Sequence, residues 1–109
     1  MQERRSSRRY AVVLEAKAII LGTEQVYEGK VTDISFSGVR FVCSEKIEKD
    51  QQLELTLVIE EQEVTLKAVV VWAEHLEPLA GIQHGMKVVG VAFVGDCKQL
   101  EKFFQKIQG

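Results

Sequence analysis

The dominant period of hydrophobicity along this chain is two. Leu53, Leu55, Leu57 and Ile59 alternate with Glu54, Thr56, Val58 and Glu60, which predicts a strand with one face in a core and the other in water. Val64, Leu66, Ala68, Val70 and Trp72 share one face of the next run, with Thr65 and Lys67 on the other. That phase assigns Trp72 to the core. Residues 11–21, 26–34, 39–43 and 86–94 read as further strands. Between them lie polar turns at Gly22-Thr23-Glu24-Gln25, Asp33 to Gly38, 44–50 and Glu60-Glu61-Gln62, and a longer loop over 76–85 around the single proline, Pro78. In the second of these turns Gly38 is available for a positive φ.

The end of the chain changes period. Asp96 stands at an N-cap position with Gln99 at the capping-box position. Leu100, Phe103, Phe104 and Ile107 then recur at helical spacing, with Lys98, Glu101, Lys102, Gln105 and Lys106 outside the stripe. A helix over 96–107 is too short to persist alone, so its phenylalanines must bury against something, most simply one end of a closed sheet. The predicted class is mainly β: a small six-stranded antiparallel β-barrel with a C-terminal amphipathic α-helix.

Length and composition leave that picture intact. At 109 residues the chain is one domain, large enough for a modest core without metal or disulfide support. Cys43 and Cys97 match no metal or redox spacing and read as reduced, partly buried thiols. No apolar run is long enough to span a bilayer, so membrane insertion is not expected. The N-terminus lacks an apolar stretch and cleavage site, so a cytoplasmic location is expected.

Charge does change the picture. Residues 1–9 carry four arginines against one glutamate, whereas the rest carries ten basic against fifteen acidic groups. The chain therefore divides into a basic arm, 1–10, and an acidic barrel domain, 11–109. An acidic body argues against a polymeric nucleic-acid surface, which needs basic residues spread along a groove. The positive charge is concentrated where it could wrap one small anion.

Two motifs mark that site. Arg5 and Arg9 form an RxxxR pair just before the first strand, and Arg4 and Arg8 repeat the spacing one residue earlier. Asp33, Ser35 and Gly38 form a DxSxxG turn after the second strand. In this order, around these strands, the motifs resemble those of the PilZ domain, a bacterial receptor module for cyclic di-GMP. The late strand with Gly90 and Phe93 and the amphipathic helix extend the resemblance over nearly the whole chain. It implies a ligand bound by Arg4, Arg5, Arg8, Arg9, Asp33, Ser35 and Gly38, between the arm and the outer face of the barrel. No cofactor, metal or catalysis is implied.

The residue chemistry agrees. A guanidinium is planar and always charged, and it forks onto phosphate oxygens or onto guanine O6 and N7. A carboxylate such as Asp33 can accept from guanine N1–H and N2–H, Ser35 can donate to a phosphate or base edge, and Gly38 leaves room for the ligand. Four like charges in six positions oppose compaction, so the free arm is expected to be disordered and to order on a dianion. With no second domain read in the chain, the expected output is a changed surface read by an unidentified downstream protein. The alternative is a PilZ-like adaptor that binds a protein and no nucleotide. His75 and His84 do not share metal-ligand spacing and read as surface residues. No serine or carboxylate has a recognisable catalytic partner.

Overall fold

The computed structural model describes residues 8–44, 46–76, 86–95 and 98–108. Arg4, Arg5, Asp96, Cys97, His84 and the Pro78 loop lie outside the described residues, as does the expected ordering of the arm. The six strands are β1 Tyr10–Ile20, β2 Val26–Ile34, β3 Gly38–Ser44, β4 Gln52–Ile59, β5 Gln62–His75 and β6 Met86–Phe93. They close into an antiparallel barrel in the order β1-β2-β3-β6-β5-β4. A single turn of 3₁₀ helix, Lys98–Leu100, leads into helix α1, Glu101–Gln108.

The period-two pattern explains the barrel. Leu53, Leu55 and Leu57 of β4, Leu66, Ala68 and Val70 of β5, and Val39, Phe41 and Cys43 of β3 all point inward and are buried. Their alternates, among them Glu54, Lys67 and Arg40, face out. The 3₁₀ turn and helix bury Leu100 and Phe104 in the same core, with Phe103 packed at its margin. The helix thus covers one end of the barrel, as its apolar stripe requires.

Trp72 departs from the sequence phase. It is 36% exposed, on the outer face. The β5–β6 register slips between Val70, opposite Val91, and Trp72, opposite Gly90. Val71 is the extra residue, and a one-residue bulge sends every later side chain to the other face. A second slip, between Val31 and Asp33 on β2, does the same for Asp33. Counted in twos from buried Val31, Asp33 would point inward; the bulge at Thr32 turns it outward.

Gly38 also differs from expectation. Positive φ among the described glycines occurs at Gly22 and Gly95, not at Gly38. A side chain at Gly38 is excluded for another reason: a Cβ there would lie 1.9 Å from the Val91 carbonyl oxygen of β6. The glycine permits close approach of two strands.

Candidate functional site

The bulges assemble one row across the outer face. Ala11, Asp33, Arg40, Gly90 and Trp72 are successive cross-strand partners on β1, β2, β3, β6 and β5. Gly90 leaves a gap in this row, and the Trp72 indole fills it: a Cβ on Gly90 would lie 2.0 Å from the indole Nε1. Leaning this way, the ring has the Arg40 guanidinium carbon 5.8 Å from its centroid, within cation–π range.

Arg9 reaches the other end of the row. Its Nε and Nη2 both donate to Asp33 Oδ1, at 3.0 and 2.6 Å. Asp33 Oδ2 faces Arg40 Nη1 at 3.7 Å, an ion pair but too long for a hydrogen bond. Arg8 lies instead over Tyr10, its guanidinium carbon 5.9 Å from the ring centroid. Arg9, and not Arg8, therefore meets the DxSxxG carboxylate.

Ser35 has a structural position. It is fully buried. Its hydroxyl accepts from the backbone N–H groups of Ser37 and Gly38, at 3.1 and 3.3 Å, and lies 3.0 Å from the Ser37 hydroxyl. The Ser35 N–H donates to the Gly38 carbonyl at 2.8 Å, closing the turn. With its hydroxyl engaged in this way, Ser35 holds the backbone that carries Asp33. Phe36, at the tip, stacks on Phe104 of α1 with ring centroids 4.1 Å apart.

A shallow depression of about 140 Å³ lies beside the row, lined by Arg9, Ser37, Gly38, Trp72, Gly90 and Ala92. Three other hollows among the described residues are larger, the smallest of them, about 160 Å³, lying between Ile59, Val64 and Phe103. One of about 240 Å³ runs between Leu21, Val69 and Val94 and is mostly apolar. Another of about 180 Å³ is lined by Glu15, Glu28, Glu63 and Lys17, an excess of carboxylates that repels an anion. The small depression combines a glycine floor, an aromatic wall and a guanidinium.

The sequence pattern of the PilZ domain matches residues 2–105 of the chain. The chain belongs to the PilZ domain family. No curated protein matches it. PilZ domains are binding and adaptor modules, and the family is one of cyclic di-GMP receptors, some of whose members do not bind that nucleotide. In this PilZ domain the motif residues Arg9, Asp33 and Gly38 surround or adjoin the depression, and Ser35 shapes the turn behind it. Arg40, Gly90 and Trp72 belong to the candidate site although the two motifs did not mark them. A trace of Trp72 was present: Val69-Val70-Val71-Trp72 interrupts the polar–apolar alternation, and an unbroken apolar run inside such a strand fits a bulge. Among the described residues no cluster of His, Cys, Asp or Glu could hold a metal ion, and no helix is long and apolar enough to cross a membrane.

Proposed function

We propose that this PilZ domain is a cytoplasmic, non-catalytic receptor for cyclic di-GMP. The observation that carries the reading is the meeting of Arg9 with Asp33 beside a depression walled by Trp72. Arg9 supplies a forked cation for a phosphate or for guanine O6 and N7. Asp33 accepts from guanine N1–H and N2–H, and the exposed Trp72 face offers a purine a stacking surface. Gly38 and Gly90 keep the floor low enough for a ring to approach.

The depression is too small to enclose a dinucleotide, since ligand cavities run to roughly 300–1,000 Å³. The ligand therefore lies across the barrel, and the arm with Arg4, Arg5 and Arg8 closes over it from the other side. That closure creates the surface read by a downstream protein.

Calorimetric titration with cyclic di-GMP, with GTP and a short oligonucleotide as controls, tests the reading. Saturable binding of the cyclic dinucleotide and neither control is the expected result. One observation favours an adaptor that binds no nucleotide: Arg9 and Asp33 already satisfy each other. Absence of heat with cyclic di-GMP would select that alternative. Tryptic cleavage after Arg4 and Arg5, slowed by the ligand while cuts after Lys46 and Lys49 continue, tests closure of the arm.

A further inference from the structure

Asp33 is the anion that Arg9 holds in the free protein. Its Oδ1 receives both Arg9 hydrogen bonds. Its side chain is only 15% exposed, whereas that of Arg9 is 47% exposed. The carboxylate thus gives Arg9 what a phosphate oxygen would give, at a place where water can only partly replace Arg9 as its partner. Arg40, at 3.7 Å from Oδ2, supplies charge nearby but no hydrogen bond.

The two kinds of incoming ligand therefore face different costs. A simple phosphate that captures Arg9 leaves Asp33 charged, mostly out of water and stripped of two charge-assisted bonds. A ligand that brings a phosphate to Arg9 and N–H donors to Asp33 replaces both halves of the pair. The barrier falls only on the first.

We propose that Asp33 is a selectivity gate: it occupies Arg9 in the free protein and excludes phosphates that carry no hydrogen-bond donors for its own carboxylate. This deepens the proposed nucleotide site and rests on it for the identity of the preferred ligand, but the gate itself concerns only Arg9 and Asp33. Its consequence runs against the usual expectation for a binding-site residue. Removing the charge of Asp33 creates binding to simple phosphates as it weakens discrimination among nucleotides.

The test is calorimetry on the full chain with two probes, inorganic pyrophosphate and cyclic di-GMP. Pyrophosphate has the anionic oxygens and no base. Asp33→Asn, which keeps the side-chain shape, is expected to bind pyrophosphate at least about tenfold more tightly than the unaltered protein. Asp33→Ala guards against an amide oxygen that still holds Arg9, and is expected to change affinity in the same direction. Adding Arg9→Ala to either variant is expected to return pyrophosphate binding to its original level. No gain in either Asp33 variant overturns the gate. A gain that survives loss of Arg9 also overturns it, because some other cation has then been released. A gain for pyrophosphate together with no cyclic di-GMP binding by the unaltered protein would remove the nucleotide reading and leave the gate standing.

Discussion

At the scale of single residues, the site depends on what is missing as much as on what is present. Gly90 has no side chain, and the indole of Trp72 occupies the space that one would take. Gly90→Ala is expected to push the ring off the barrel and away from Arg40, changing tryptophan fluorescence and lowering ligand affinity. Stability should change little, because Trp72 is already 36% exposed. Gly38→Ala is a different case. Its new methyl meets the Val91 backbone and not a movable side chain, so a cost of about 1–3 kcal/mol is expected in chemical denaturation. Arg9→Ala should lower cyclic di-GMP affinity roughly 10- to 150-fold, the value of a charge-assisted bond of about 1.5–3 kcal/mol. Arg9→Lys should rescue poorly in the same titration, since an ammonium cannot fork.

At the scale of elements, β4 and β5 follow directly from alternation, and the other four strands from apolar stretches between polar turns, β2 with the weakest pattern. The residue that was misplaced, Trp72, follows a bulge, and a second bulge precedes Asp33. Alternation counts in twos, and a bulge adds one, so the phase after Thr32 and after Val71 is wrong by one residue even though the strands are right. That is why the row joining Asp33 to Arg40, Gly90 and Trp72 was not legible, and why Trp72 was assigned to the core. Ser35 was legible as a motif residue, but its burial depends on the fold around the turn. The β4–β5 hairpin shows a different compromise. Its two-residue loop, Glu60-Glu61, has φ of 54° and 71°, a left-handed pair that Asn-Gly ordinarily supplies. Lys106 of α1 holds Glu60 in an ion pair at 2.5 Å. Glu61→Gly relieves one strained position without touching that pair, and should raise stability by about 1 kcal/mol in urea unfolding.

At the scale of the whole molecule, the core carries a titrating group that links stability to alkaline pH. Burial pushes the Cys43 thiol from 9.0 up to about 12, against the smaller opposing influence of the Lys87 charge. In the unfolded chain the thiol ionises above pH 9, whereas in the folded barrel it keeps its proton until about pH 12. The folded state then binds more protons across that window, so stability is full below pH 9 and falls as pH rises through it. Urea midpoints compared near neutrality and within that window should diverge less in Cys43→Ala than in the unaltered protein. The same core is sealed by α1, whose Phe104 also touches Phe36 on the turn bearing Asp33. The face that bears the candidate site and the covered end of the barrel are thus parts of one packed unit.

The closed order of the strands has a consequence for how this protein can meet others. Each of the six strands has a neighbour on both sides, and β1 completes the circle by pairing with both β2 and β4. Where the registers overlap, as between Ala16–Ile20 of β1 and Leu53–Leu57 of β4, the closed sheet leaves no row of unpaired N–H and C=O groups and so no template for a strand from another chain. Fibril-like stacking and peptide capture by strand addition both begin at such an edge, and the paired stretches of the barrel deny it to them. Recognition across those paired stretches must therefore read side chains, and a change of sequence that opened the paired part of the β1–β4 seam would expose it to a kind of association that the native pairing excludes.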